Sequence, residues 1–170
     1  TSTQSKLSVL SRLFKLYDED PAGLVFYLRD DNEPNADEPG SRQELRRRYW
    51  TYALPAIKEA HGKDGSFANV SPSRENWING FFGVGGFYLC CVANYDAARV
   101  EVVFGKPDRE ENKRAFDSLA SHKPEIESAL GIGLHWNRGD EITSSKVYCQ
   151  LSGVSIENEV DWLQMSRFHA

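Results

Sequence analysis

The amino-acid sequence predicts an α+β fold: an antiparallel sheet of about four strands, arranged as two hairpins and packed against helices, with an N-terminal helical extension. Three observations predict it. Residues 87–104 (FYLCCVANYDAARVEVVF) read as two apolar strands joined by a short polar loop. A second strand pair begins at Leu134-His135-Trp136 and returns over residues 146–151, with Asn137-Arg138-Gly139-Asp140 as the turn signal between them. Segments of helical periodicity lie before, between and after these pairs, an order that suits helices laid over one face of an antiparallel sheet.

Taken from the N-terminus, Leu7, Leu10, Leu13, Phe14 and Tyr17 recur at helical spacing until Asp18-Glu19-Asp20-Pro21 ends the pattern. The short run LVFYL at 24–28 suits a strand or a further helical turn, and periodicity alone leaves both open. Residues 30–40 (DDNEPNADEPG) hold five acidic residues and two prolines and offer little to bury, the composition of a linker or solvated loop. This divides the chain into an N-terminal helical segment with an acidic linker (1–40) and an α+β domain (41–170). Thr1 rather than Met opens the chain, as expected of a processed or trimmed polypeptide or of a piece of something longer.

Ser41-Arg42-Gln43-Glu44 forms a capping box, Ser41 accepting from the Glu44 amide while Glu44 reaches back, and predicts a helix to about residue 60. Leu45, Tyr49, Tyr52 or Ala53, and Ala56 mark its buried side. Pro55 should kink or divide it, for want of an N–H. Gly80, Gly83, Gly85 and Gly86 then lead into a strand. A phosphate-binding glycine loop instead follows a strand and opens a helix, so these glycines read as a bend or bulge at the sheet entrance.

Within the hairpin, Phe87, Leu89 and Cys91 share one face and Tyr88, Cys90 and Val92 the other. On the return strand Val100, Val102 and Phe104 are expected in the core, with Arg99, Glu101 and Val103 on a partly wet face. Pro107-Asp108 starts a helix to about residue 121 with Ala115, Phe116 and Leu119 inward. Pro124 suits the first turn of a short helix, carrying Ile126, Ala129 and Leu130, that Gly131 ends. A last helix over 156–168 presents Ile156, Val160, Leu163 and Phe168.

Composition narrows the function. At 170 residues, 40% hydrophobic and 26% charged, the chain is sized for one domain with a small appendage. No apolar run nears the roughly 20 residues that cross a bilayer, and no leader pattern opens the chain. Cys90, Cys91 and Cys149 cannot all pair, and adjacent strand cysteines point apart, which suggests free thiols in a reducing, cytoplasmic setting. The net charge of −5 excludes an overall basic field, though not a local basic patch.

Chemistry is scarce, and neither a metal, a cofactor nor a catalytic residue is assigned. His61, His122, His135 and His169 do not pair at ligand spacing. There is no Gly-x-Ser-x-Gly elbow, and the cysteines sit in apolar strands where a thiolate is disfavoured. Asp96, Glu101 and Lys106 approach a metal-dependent nuclease pattern, but Glu101 and Lys106 are five apart and face opposite ways on a strand. Cationic residues remain. Arg46-Arg47-Arg48 is a solvated helix face or an anion-binding stripe. Arg74, Asn76 and Arg99 lie beside Trp77 and Tyr95, where a guanidinium can stack on a base, clamp an anion, or pair structurally with Glu127.

Several segments then read together: Arg46-Arg47-Arg48-Tyr49-Trp50, Ser73-Arg74-Glu75-Asn76-Trp77, Ala98-Arg99-Val100-Glu101, Asn112-Lys113 through Phe116, Ile126-Glu127, Gly131, and Leu134-His135-Trp136. In order and spacing this resembles the bacterial domain-of-unknown-function family 4268, over roughly residues 41–168. The resemblance implies a domain often placed C-terminal to nuclease-like regions in mobile or defence-related proteins. No nuclease core is present, so it carries no cleavage activity to this chain. The expectation is a non-catalytic accessory module that binds nucleic acid or a nuclease-like protein partner and is not membrane-embedded. Arg46, Arg74, Asn76, Trp77, Arg99, Glu127 and Trp136 are its candidate contacts. The alternatives are a structural or homodimerisation module, or a small enzyme using an Arg99/Glu127 pocket.

Overall fold

A computed structural model describes residues 39–170. The helix expected at 6–17, the apolar run at 24–28 and all but the end of the acidic linker lie outside the described residues. The first described element, α1 (Pro39–His61), starts ahead of the expected capping box, so Ser41 sits buried inside the helix rather than before it. Proline at a first helical position lacks only an N–H that has no partner there anyway. Pro55 does not divide α1. It and Thr51, whose carbonyl the missing N–H would have met, are both exposed, so water can serve the orphaned carbonyl. Tyr49, Trp50, Ala53, Leu54 and Ile57 form the buried side.

Five strands, not four, form the sheet: β1 (Trp77–Phe81), β2 (Phe87–Ala93), β3 (Ala97–Phe104), β4 (His135–Asn137) and β5 (Ser145–Ser152), in the order β1-β2-β3-β5-β4. Every neighbouring pair is antiparallel, and both expected hairpins are present. β1 is the addition, drawn from the stretch read as a glycine-rich entrance. Gly80 masks it in the sequence and is needed in the structure, because a Cβ there would lie 2.9 Å from Cζ of buried Phe67. Gly80→Ala is therefore expected to cost about 1–3 kcal/mol by overpacking, read as a lower chemical-denaturation midpoint; an unchanged midpoint would show that Phe67 moves freely.

Two helices follow β3. In α2 (Arg109–Ala120) Asp108 is the N-cap, its carboxylate accepting from Glu111 N at 3.1 Å. α3 (Lys123–Leu130) ends on Gly131 at φ 69°, the left-handed closing residue that glycine supplies without strain. The last helix is shorter than expected. Residues 155–158 form a turn, Glu159–Asp161 a 3-10 turn, and α4 only begins at Trp162, running to His169. Side chains replace helical bonds here: Asp161 accepts from Ser155 N and Asn158 Nδ2, each at 3.1 Å, and Trp162 Nε1 donates to Ile156 O at 2.7 Å.

The register sorts the sheet into two unlike faces. Ile78, Cys91, Ala93 and Ala98 pack under α1 and α4 in the larger core, with Tyr49, Trp50, Trp162 and Met165. Phe104 and Val147 on the same face meet Phe116 of α2 in a smaller core. Strand alternation sends the intervening residues to the opposite face, where no helix packs among the described residues.

Candidate functional site

That uncovered face is the best candidate surface, and it has two halves. On β1 and β2 it carries Trp77, Asn79, Phe81, Tyr88 and Val92; Trp77 is 42% and Phe81 55% exposed. On β3, β5 and β4 it carries Arg99, Glu101, Lys146, Tyr148, Gln150 and His135. Register explains the contacts in this second half. Tyr148 lies directly across from both Glu101 and His135, and Arg99 across from Gln150. His135 stacks on the Tyr148 ring at 4.8 Å and 15°, and the Arg99 guanidinium lies 5.0 Å from the same ring's centre.

Glu101 is the hub. Although its strand position is on the expected wet face, it is only 5% exposed. Lys146 Nζ lies 3.4 Å from each of its oxygens, and Arg99 Nη1 3.8 Å from one. Arg99 Nε also donates to Gln150 Oε1 at 2.8 Å. Two cations thus share one carboxylate, which leaves the cluster with an excess positive charge. Cys90, directly across from Glu101 on β2, does not act as a nucleophile at neutral pH: burial first, then the Glu101 charge, push its thiol up to about 12. Burial also raises Cys91 and Cys149, and all three cysteines are free.

The sequence-derived candidates scatter. Trp77 and Arg99 share the open face, in one cross-strand row with Val92. Arg74 is exposed just before β1. Asn76 has a turn role, its Nδ2 donating to Asn94 Oδ1 at 2.7 Å beside the β2–β3 connection. Arg46 lies on α1, on the helical side, where its Nε is buried with no hydrogen-bond acceptor among the described residues. Its neighbours diverge: Arg47 pairs with Glu44, and Arg48 with Glu159 beside the Trp162 ring, so no anion-binding stripe forms.

Glu127 pairs with neither Arg74 nor Arg99. Its Oε1 accepts from Leu134 N at 2.9 Å and Trp136 Nε1 at 3.0 Å, tying α3 to β4. Those two bonds, the backbone one foremost, hold its carboxyl below the usual range. The Arg99/Glu127 pocket does not exist, because the two residues serve opposite faces of the sheet. Sequence reasoning passed over Lys146, Tyr148, His135, Asn79 and Phe81. Alternation in SKVYCQLS does place Lys146, Tyr148 and Gln150 on one side, but only the β3–β5 register brings them to Arg99 and Glu101.

A second polar cluster lies on the helical side. Lys113 of α2 is 2% exposed, and its Nζ donates to Arg138 O at 2.6 Å, Gly139 O at 2.8 Å, Ser144 O at 2.9 Å and Ser145 Oγ at 3.1 Å. Asn112 beside it is fully buried; it bonds Lys106 N and O and Thr143 O at 2.9–3.0 Å. Both side chains are consumed in holding loops to α2. Among the described residues, no group of three or more His, Cys, Asp or Glu is placed to hold a metal ion, and no helix is long and apolar enough to cross a membrane.

The family described as Domain of unknown function (DUF4268) matches residues 45–170. The chain belongs to this family. No curated protein and no solved structure matches it. In this DUF4268 chain most of the segments that carried the resemblance are structural: Tyr49 and Trp50 in the larger core, Asn112 and Lys113 at the loops, Phe116 in the smaller core, Glu127 and Trp136 at the α3–β4 tie. Arg99 and Glu101 lie on the open face instead.

Proposed function

We propose that this DUF4268 chain is a non-catalytic binding module that takes single-stranded nucleic acid across the open face of its sheet. The observation that carries the reading is the pairing of an aromatic strip, exposed Trp77 and Phe81 with half-buried Tyr88, with a cationic strip, Arg99 and Lys146, on one face that no helix covers among the described residues. Unstacked bases lie flat on exposed rings, each such contact being worth about 1–3 kcal/mol. Phosphates then fall beside the two cations, because the single carboxylate of Glu101 cannot neutralise both. A flat sheet face of this kind suits a single strand, whose bases are free to splay, rather than a duplex. The resemblance suggests the setting, an accessory domain of a longer nuclease-like or defence-related protein; three free thiols agree with a reducing, cytoplasmic compartment.

Fluorescence anisotropy with labelled single-stranded DNA and RNA, titrated against salt, tests the reading. With two cations engaged, log K should fall with log salt at a slope of about −1.4, modest because only two phosphates are neutralised. Replacing both Arg99 and Lys146 by Ala should remove most of that slope. Trp77→Ala should weaken binding about 5- to 150-fold with the slope retained. No binding at low ionic strength would sink the proposal. A second reading, a docking surface for a protein or another copy of the chain, is favoured by one observation: Phe81, Phe82 and Val84 are 55%, 44% and 44% exposed around the β1–β2 turn. Light scattering over a concentration series separates the two, since a strict monomer counts against self-association.

A further inference from the structure

The open face does not end at β1. Beyond that edge strand, between it and the segment after α1, lies a solvent-open depression of about 460 Å³ lined in part by the exposed residues Lys63, Asp64, Asn69, Asn79 and Phe81. Asn79 and Phe81 belong to the open face, so the depression continues that surface rather than opening elsewhere. Its outer wall is built rather than loose. Successive turn bonds run from Gly65 N to Gly62 O (3.1 Å), Ala68 N to Gly65 O (3.0 Å) and Val70 N to Phe67 O (3.0 Å). Phe81 N donates to Ser66 O at 2.9 Å, fastening the wall to β1, and buried Phe67 anchors it from below. Gly65 is required, because a Cβ there would come 2.1 Å from the His61 carbonyl oxygen.

The lining has the character of a polar reader. Asn69 and Asn79 each offer an amide donor and acceptor, and neither side chain is hydrogen-bonded among the described residues, unlike Asn76 and Asn112. Asp64 adds acceptors only, Lys63 a cation, and Phe81 a ring at the boundary with the sheet. The volume falls within the range of small-molecule sites, ample for one base with part of its sugar.

We infer that this depression seats a single nucleobase bearing an exocyclic amino group, turned out of a strand that lies on the open face. The inference rests on the nucleic-acid reading above. Phe81 stacks on the base, Asn79 and Asn69 meet its amino group and adjacent ring nitrogen, and Asp64 accepts a further amino proton. Uracil and thymine, which present carbonyl oxygens in place of that amino group, would set acceptor against acceptor at Asp64. Lys63 meets the phosphate of the extruded nucleotide.

Anisotropy with the full chain and short labelled oligonucleotides of A, C or U tests this. Oligo-A and oligo-C should bind about tenfold more tightly than oligo-U, the size of effect expected of a bidentate base contact. Asp64→Ala, which removes the acceptor that discriminates against uracil, should abolish that preference, while the salt slope set by Arg99 and Lys146 stays in place. Asn69→Ala, in the same exposed segment, should reduce it, and neither substitution alters β1. Equal affinity for the three oligonucleotides, or a preference that survives both substitutions, overturns the base-reading depression and leaves the sheet-face function standing. Absence of binding to all three overturns both.

Discussion

Lys113→Met is expected to destabilise the chain by about 3–5 kcal/mol, the combined cost of leaving several carbonyls unsatisfied at about 1–3 kcal/mol each. Methionine is a close match in length and supplies no donor. Three carbonyls, of Arg138, Gly139 and Ser144, sit within 2.6–2.9 Å of Nζ. The fourth neighbour, Ser145 Oγ, already donates to Arg138 O at 2.6 Å and so turns a lone pair toward the lysine. Burial, then Arg109 and Arg138, draw the lysine's pKa down. The acceptor set opposes them: only an ammonium has three protons for three carbonyls, whereas a neutral amine would aim its lone pair at oxygen. In Lys113→Met these carbonyls must either stay unsatisfied or carry the 138–145 loop away from α2. Thermal unfolding should show a Tm lower by roughly 10–20 °C, with earlier proteolytic cutting in that loop. A loss below about 1 kcal/mol, the scale of one ordinary hydrogen bond, would mean that water replaces the lysine and the cage is not structural.

Why this lysine and its loop escape a sequence reading is instructive about the whole fold. Alternation and breakers are local, so β2, β3, α2, α3 and the β4–β5 pair announce themselves through Val100-Val102-Phe104, Asp108, Gly131 and the turn after Asn137. β1 does not. In WINGF, Ile78 and Gly80 face the core, and glycine there reports the closeness of Phe67 rather than a turn. The last helix is shorter than its apolar spacing predicts for a similar reason: Ile156 and Val160 keep helical spacing with Leu163, yet the Asp161 and Trp162 side chains fold the backbone before them into a turn.

The candidate surface was half legible. A strand's two faces follow from its period, so Arg99 and Glu101 were placed together outside the core. Which residues of other strands meet them depends on strand order, and β5 rather than a second hairpin neighbour lies beside β3. That order supplies Lys146 and Tyr148 and thereby buries Glu101. It also leaves Glu127 without any arginine, because the helix carrying it lies over the other face. Charge type alone suggested an ion pair; the acceptor's actual partners are the Leu134 amide and the Trp136 indole.

The second large effect is a loss of stability on mild acidification, through His169. This residue is 2% exposed in α4, with Nε2 at 3.1 Å from Val92 O and Nδ1 at 2.8 Å from the Tyr49 hydroxyl. A carbonyl only accepts, so Nε2 carries the proton, Nδ1 is the acceptor, and the Tyr49 hydroxyl donates. Burial raises the Tyr49 pKa, so the phenol keeps that proton. A second proton on the ring would displace the Tyr49 hydroxyl proton from its acceptor, and burial lowers the His169 pKa from 6.5 to about 4, the backbone bonds to Val92 and Arg99 opposing only in part. Between those values the unfolded chain binds a proton that the folded chain does not, so stability rises with pH across the window and is lost as pH falls through it. The full contribution is present above pH 6.5, and acidification to about pH 4 should remove about 3 kcal/mol. His169→Gln retains an amide donor for Val92 O and an acceptor for Tyr49 without a titrating group. Its unfolding free energy, measured by denaturant titration at a series of pH values, should be flatter than that of the unsubstituted chain across this window, even if lower at neutral pH. Parallel profiles for the two proteins would show that His169 takes up its proton in the folded state, and that the Tyr49–His169–Val92 chain of bonds does not hold α4 against the sheet as described.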